Sequence, residues 1–440
     1  MTHSSMQVRA LRCRIAALAV AAAALVALPA VAAAQGNASS AAAGMGGNYT
    51  ALARNFNAVA WNPANLGLDG NSSFSIALSP QFGVGTGPIT LKDIKDYEGV
   101  LVPDAIKQAW LQKVIDNNGQ SVGGNVDVNF LALSIGPMAF SASSTINTDG
   151  QVPAAVAELI LFGNAGRTGT AQDFTATDLA LDANATSTFA AAYGRRLGIM
   201  PMGEFAVGAT VKYIIGHGMA SLRDNGSTIT SNPIQVDLDA PVVLTDTASN
   251  GFRNNGSGLG LDVGATWTLG NLRLAGVVKN VVNTFAWKTD QLYYMPIKAT
   301  FTQDSSSSQV DTILPLSAAP AALRAELEGR IKATTPQPTL VLGGAYTGFS
   351  RLTLAADLRT RFGEGIDLGP QTQFGVGAEL RIIPFVPLRA GVTALSGGMR
   401  YSGGIGLEFG VVNLQASAAL LTADGRNDTT AGFTLSFGGR

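Results

Sequence analysis

Few residues in this sequence are equipped for covalent or acid–base chemistry. Its 440 residues include one cysteine, Cys13, and two histidines, His3 and His217. A serine nucleophile needs a base that is itself oriented by a carboxylate, and no such arrangement of Ser and Asp is indicated around His217 in the string IIGHGMA. His217 therefore reads as an ordinary histidine at a strand end or in a loop. The same scarcity leaves too few soft ligands for a zinc, iron–sulfur or c-type haem site, and a disulfide within the chain is impossible. Asp357, Glu379 and Glu408 are the carboxylates that could form an acid–base pair, and Arg359, Arg381 and Arg389 lie close to them in the pattern. Without a defined cleft they read as a ladder of charges bracing an interior rather than as a hydrolytic pair. GMGG and GVGTG lack the Lys and Ser or Thr of a phosphate loop. Neither enzyme activity nor a metal or cofactor is expected.

The elements that position these residues must be read from composition and pattern. With 29 Lys plus Arg against 30 Asp plus Glu, the chain lacks the concentrated positive charge that nucleic-acid binding requires. Only 13% of residues are charged, 46% are hydrophobic, and 52 are glycine, which points to curved sheet rather than a helix-rich enzyme. The opening segment carries Arg9, Arg12 and Arg14 and no acid, and runs into IAALAVAAAALVALPAVAAA. This is the pattern of a secretory signal peptide over residues 1–34, with Ala32 and Ala34 spaced for cleavage near Gln35. Its removal takes Cys13 away and leaves 26 basic against 30 acidic side chains, a net charge of −4. No later stretch reaches the ~18 apolar residues of a spanning helix.

From about residue 187 onward the dominant pattern is alternation of period two. In 204–216 the face Phe205, Val207, Ala209, Val211, Tyr213, Ile215 opposes Ala206, Gly208, Thr210, Lys212. In 258–270 the face Leu259, Leu261, Val263, Ala265, Trp267, Leu269 opposes Gly260, Asp262, Gly264, Thr266, Thr268. Runs at 351–360, 373–382, 386–394, 401–409, 411–421 and 429–437 follow suit. A soluble sandwich would show Lys and Glu on its outer face, whereas here the second face is Gly, Ala, Thr and Ser. An aliphatic face with Trp and Tyr suits hydrocarbon and its interfacial girdles, and the small hydroxylated face suits an enclosed lumen. The expectation is an all-β transmembrane antiparallel barrel of about fourteen strands, closed because an open edge in lipid is too costly. Strand centres fall near 76, 130, 140, 191, 209, 263, 275, 297, 342, 355, 378, 390, 405, 416 and 433. Helices are expected at 104–116 and 320–330, both in loops outside the bilayer core, and long polar loops around 231–258 and 301–317.

Between signal and barrel lies an element, residues 35–70, that neither alternates nor can form a core alone, so the barrel lumen is its natural host. Gly44, Gly46 and Gly47 permit unusual dihedrals, TALAR can form a short helix, and Asn62 with Pro63 makes a turn toward the first strand. The string GMGGNYTALARNFNAVAWNPANLGL, with Asn62, Pro63 and Ala64 as its Asn-Pro-Ala triplet, resembles the hatch of the FadL-like outer-membrane barrels. The likeness continues through SIGPMAFSAS, AAAYGRRLG, FAVGATVKYIIG and IIPFVPLRAGVTALSGGMRYSGGIGLEFG and so covers most of residues 35–440. The resemblance implies fourteen strands over residues 71–440, a hatch blocking the lumen, and hydrophobic cargo leaving sideways where a strand kinks inward. Two departures stand out. Asn55 and Asn57 occupy places where many relatives are acidic, and the chain ends FTLSFGGR rather than on an aromatic, although Phe433, Leu435 and Phe437 still alternate as an assembly-machinery signal would.

The function expected on these grounds is passive uptake of a hydrophobic small molecule or lipid, fatty-acid- or hydrocarbon-like, across the outer membrane of a Gram-negative-type bacterium. Gly44, Gly46, Gly47, Asn62, Pro63 and Ala64 are the gate candidates. Expected partners are the cargo, outer-membrane lipids and the barrel assembly machinery, with no nucleic acid. The alternative is a docking barrel that shuttles or anchors a secreted protein.

Overall fold

The computed structural model describes residues 39–440 apart from 177, 201–202, 246–252, 303–305, 309–311, 367–370, 424–425 and 439–440. The signal peptide and residues 35–38 of the expected hatch lie outside the described residues. Fourteen antiparallel strands form the wall: β1 Phe74–Gly87, β2 Gln120–Ile135, β3 Met138–Val152, β4 Ala180–Met200, β5 Gly203–Arg223, β6 Gly256–Leu269, β7 Leu272–Asn283, β8 Thr339–Tyr346, β9 Leu352–Arg361, β10 Thr372–Ile383, β11 Val386–Leu395, β12 Gly398–Phe409, β13 Val412–Ala423 and β14 Arg426–Gly438. Each pairs with the next, and β14 returns to β1 (Ser75 opposite Gly438, Thr86 opposite Asn427), so the sheet has no edge.

Alternation sorts side chains as the sequence predicts. On β5 and β6 the residues Ala206, Thr210, Asp262 and Thr266 are buried toward the inside, while Val211, Tyr213, Leu259 and Val263 are exposed on the outer surface. An apolar outer surface on a closed antiparallel barrel is the architecture of a transmembrane barrel. Among the described residues no helix is long and apolar enough to cross a membrane, a statement that leaves crossing by strands untouched.

The wall is lopsided. β4 and β5 have 21 residues each and β8 has 8, and the long connections all precede β8. On that rim α4 (Asp104–Asp116) packs against α5 (Ala154–Phe162) through Leu111, Val114 and Ala157. A third helix, α6 (Ala321–Ala333), buries Leu327 and Ile331 with Phe285, Trp287, Leu292 and Tyr294. The helices expected at 104–116 and 320–330 are present. The strand expected near 297 is not part of the wall: Lys298–Phe301 belongs to a separate five-stranded sheet with Ile234–Asp239, Ser227–Ser231, Phe174–Ala176 and Ser306–Ser308. The two segments expected as polar loops thus contribute strands, because paired loop strands satisfy their backbone groups in one another.

The barrel is not hollow. Residues 39–72 touch wall strands around the whole circumference and are mostly buried, which places them inside. They form α1 (Ser40–Gly44), α2 (Ala58–Trp61), and 3-10 turns at Asn55–Asn57 and Pro63–Gly67. One further helix, α3 (Leu91–Lys95), precedes α4 in the first long loop, where Thr90 and Asp93 form a capping box on α3. TALAR is a single turn rather than the expected helix. Leu52 and Ala53 donate to the Tyr49 carbonyl, but the Thr50 carbonyl, which a continuing helix would offer to the Arg54 amide, accepts from Asn65 Nδ2 instead.

Candidate functional site

The interior is built from two rows of glycine in the wall. Gly208 on β5 and Gly194 on β4 face the Asn-Pro-Ala turn so closely that a Cβ would lie 2.4 Å from the Pro63 carbonyl carbon or 2.3 Å from its oxygen. Across the barrel, a Cβ on Gly391 would lie 2.3 Å from the Met45 carbonyl carbon and one on Gly377 2.5 Å from its oxygen. The glycines opposite these rows serve the turn itself: Gly46 and Gly47 adopt φ of 72° and 80°, open to glycine at little cost. Gly44 and Gly46 expose carbonyls that accept from Ser402 (3.2 Å) and Thr393 (2.8 Å). At the start of the segment the Ser40 amide donates to Thr434 Oγ1 at 2.9 Å.

A polar strut crosses the lumen from β6 to β9. Asn62 Nδ2 donates to Thr266 Oγ1 (2.7 Å), which donates to Asn65 Oδ1 (2.7 Å), and Asn65 Nδ2 donates to the Thr50 carbonyl (2.9 Å). Asp357 Oδ2 then accepts from the Thr50 hydroxyl (2.7 Å) and from the amides of Thr50 (3.0 Å) and Tyr49 (2.9 Å). Asn62 also caps the turn beginning at Pro63, accepting from the Ala64 amide at 3.1 Å. Asn55 and Asn71 form a clasp beneath: Asn55 N–H donates to Asn71 Oδ1 (2.8 Å) and Ser72 N–H to Asn55 Oδ1 (2.7 Å). The Trp61 ring is 3% exposed, with the Arg359 guanidinium 5.5 Å and Lys279 Nζ 5.7 Å from its centre.

The six expected ladder residues therefore divide. Asp357 serves the N-terminal segment and Arg359 the Trp61 ring, whereas the other four form one network. Arg381 donates to Glu408 (2.7 and 2.9 Å) and Glu379 (2.7 Å), and Arg389 Nε to the other Glu379 oxygen (2.7 Å). Thr50, Asn65 and Thr266 were not singled out by sequence; their only signal is polarity on an inward position or beside the Asn-Pro-Ala turn. His217 sits within β5 at a register slip rather than at the strand end, its Nε2 2.8 Å from Ser187 Oγ and its Nδ1 2.9 Å from the Arg253 carbonyl.

Beneath the segment, at the end of the barrel carrying the short turns, a cavity of about 990 Å³ opens. Its lining brings the Glu379–Arg381–Arg389–Glu408 network together with Arg54, Arg273 and the start of β1 and end of β14 at Ser75 and Ser436. Burial, and then the neighbouring Arg273 charge, push the Arg54 guanidinium down to about 9. At the other end, Phe285 and Trp287 pack edge to face, 5.3 Å between ring centres, against Gly258 and Gly216 of the wall.

The wall register slips in several ladders, β4–β5, β6–β7 and β10–β11 among them, and also where the last strand meets the first. The β1–β14 register runs from Ser75 to Leu78 and from Gln81 to Thr86 and skips Ser79 and Pro80. On the next strand the β2–β3 register slips at Phe130, an extra residue opposite the same level of β1. Pro80 has no N–H to give to a ladder.

The family model of a family of unknown function, DUF5723, matches residues 63–419. The chain belongs to this family. The matched region starts at Pro63, takes in all of β1 to β12 and ends within β13. No curated protein matches the chain. Among solved structures, this chain is similar to the toluene transporter TodX of Pseudomonas putida (12% identity, 93% of this chain and 99% of that chain, TM-score 0.49). It is also similar to a FadL homologue of Pseudomonas aeruginosa (11%, 94% and 100%, 0.45) and to the toluene transporter TbuX of Ralstonia pickettii (13%, 92% and 98%, 0.44).

Proposed function

We propose that the protein is an outer-membrane conduit for passive uptake of hydrophobic small molecules, fatty-acid- or hydrocarbon-like, with residues 39–72 acting as a hatch and cargo leaving sideways beside β1. The observation that carries this reading is the combination of a lumen filled by a non-strand segment with a wall that is incompletely laddered at Pro80. A segment held by side-chain hydrogen bonds can shift without breaking the barrel, whereas each backbone pair opened in lipid costs several kcal/mol. Opening therefore costs least at a gap in the ladder, and the gap we assign to cargo exit is the one between β1 and β14. Cargo would be driven by partition, at ~0.8 kcal/mol per buried CH2. Gly44, Gly46, Gly47, Asn62, Pro63 and Ala64 are the contacts that must shift when the hatch moves. Phe433, Leu435 and Phe437, on the outer side of β14, are the surface we assign to the assembly machinery.

The test uses the lipid-facing pair Leu78 and Leu435, which are directly opposite across β1 and β14. Cys13 is the sole cysteine and lies in the expected signal, so Leu78→Cys with Leu435→Cys gives a clean disulfide. Uptake of radiolabelled hydrocarbon by cells carrying the oxidised pair is expected to fall to the level of cells lacking the gene and to return with reductant. Undiminished uptake through the crosslinked wall rules out exit at this seam; equal uptake with and without the gene rules out a conduit. The docking alternative draws support from the folded layer on the long-loop rim, with its own sheet and apolar cluster. Surface retention of a secreted protein that depends on the gene, with uptake unchanged, is the result that would select it.

A further inference from the structure

On the long-loop side of the barrel, the inner face of β2, β3 and β4 carries a row of carboxamides whose hydrogen bonding is incomplete. Asn125 stands opposite Asn147 in the β2–β3 ladder, and Asn147 opposite Asn184 in the β3–β4 ladder. Asn184 Nδ2 donates to the Ile366 carbonyl (3.0 Å) and Asn147 Nδ2 to Asn184 Oδ1 (3.3 Å), so the donors point toward β4 and the Asn147 oxygen is turned back toward β2. That oxygen has no hydrogen-bond partner, and neither the oxygen nor the nitrogen of Asn125 has one, although the two residues are only 6% and 3% exposed. Each buried polar atom left in this state costs about 1–3 kcal/mol. Asp127 is buried two positions from Asn125 on the same inner face, opposite Thr145. The guanidinium of Arg426 lies over Gly123, the next inward position above Asn125, and its charge is met by Asp149 (2.7 Å) and Asp428 (2.5 Å).

We propose that Asn125, Asp127 and Asn147 form a binding site for a hard divalent cation, Ca2+, inside the wall. The ligands on offer are oxygens of two carboxamides and one carboxylate, with neither imidazole nor thiolate, which is the chemistry of a hard ion. Residues directly opposite in an antiparallel pair have Cβ atoms about 4.5–5.5 Å apart, and those two apart along a strand about 6.6 Å. Side chains of this length can converge on one ion at Ca–O distances of about 2.3–2.6 Å, with the Thr145 hydroxyl beside them. The buried carboxylate selects a cation over a neutral polyol, which the carboxamides alone would also suit. Among the described residues no group of three or more His, Cys, Asp or Glu is placed to hold a metal, and a site with a single carboxylate binds weakly, with Kd on the order of 10⁻⁴ to 10⁻³ M as in extracellular calcium modules. Asp127 also stands opposite Gln81, the first residue of β1 to pair with β14 again after the gap at Ser79 and Pro80. A bound ion therefore ties β2 to β3 beside the proposed exit. That consequence rests on the conduit reading, whereas the binding itself stands apart from it.

The experiment measures equilibrium binding of radioactive Ca2+ to the full-length mature barrel in phosphatidylcholine nanodiscs, with empty nanodiscs subtracted. The wild type is expected to bind one ion per barrel saturably, and Asn125→Leu and Asp127→Asn each to weaken binding by about tenfold or more. Asp104→Asn, at the exposed start of α4, is expected to leave it unchanged. Heat-modified gel mobility reports whether each variant is folded, and Asn147→Leu replaces either one that is not. Thermal unfolding of the wild type is expected to shift upward with millimolar Ca2+, and that of Asp127→Asn to shift less. Binding that never saturates, as water alone at these amides predicts, overturns the site. So does affinity insensitive to Asn125, Asp127 and Asn147, or displacement by Na+ as effective as by Ca2+ itself. Saturable binding lost in these variants, in a protein that fails the hydrocarbon-uptake test, would leave the site standing and remove the conduit.

Discussion

Asp357 shows how far a single residue's role depends on what meets it. Its alternation places it on the inner face, and the nearest cation in sequence, Arg359, is two residues away on that same face. The carboxylate instead collects three hydrogen bonds from Tyr49 and Thr50, more than 300 residues earlier in the chain. Removing it leaves three donors of the hatch without an acceptor, each costing about 1–3 kcal/mol in a buried place. Asp357→Ala is therefore expected to loosen the hatch while the wall stays closed, seen as new ion conductance in planar bilayers, and Asp357→Asn, which keeps one acceptor oxygen, to show less. A silent Asp357→Ala barrel would mean that the strut through Asn65 and Thr266 does not hold the segment. Asp357 was legible as an inward acid, but Thr50 and Asn65 were not, since a hydrogen bond between distant segments leaves no period in the sequence.

At the level of elements, the inward glycines do for the wall what the small face of the alternation promised, and more. The pattern separated Gly208 and Gly264 from their aliphatic neighbours, yet only the positions of Pro63, against Gly208, and Asn62, against Gly264, explain why glycine rather than alanine stands there. Gly208→Val is expected to prevent formation of the folded, heat-modifiable species, because its Cβ would fall 2.4 Å from the Pro63 carbonyl carbon. Gly276→Ala on β7 is the control: its nearest contact would be Leu342 at 3.6 Å, an ordinary van der Waals distance, and it should assemble as the wild type does. Equal assembly of both would show that the hatch can sit elsewhere. The helices α4 and α6 could be read from their own residues, while the TALAR turn could not, since the Thr50 carbonyl is taken by Asn65.

For the whole molecule, the decisive surface is the outer one. Val263 is exposed on β6 beside Leu259 and Leu261, and an arginine there is expected to cost about 2–4 kcal/mol if that surface lies in the bilayer midplane. Urea unfolding of Val263→Arg in lipid vesicles, compared with Val100→Arg in the first long loop, checks this; equal stability would place the β6 face outside hydrocarbon. The lopsided rim gives the molecule one tall side, β2 to β5, and one short side, β8 to β13, and Phe285 and Trp287 of the loop layer pack against the inner glycines Gly258 and Gly216.

By itself the sequence determined the barrel: a side-chain period of two is a local property, and about fourteen repeats of it, with an apolar face and no spanning helix after the expected signal, admit few solutions other than a closed sheet in lipid. It also determined that the stretch before β1 needed a host. Tertiary structure alone decided which wall strands hold that stretch, how the six inward charges divide between hatch and cavity, and where Pro80 comes to lie opposite a slip in the neighbouring ladder. Those are contacts between residues hundreds of positions apart, fixed by strand register and closure, and a one-residue change of register would have reassigned all of them.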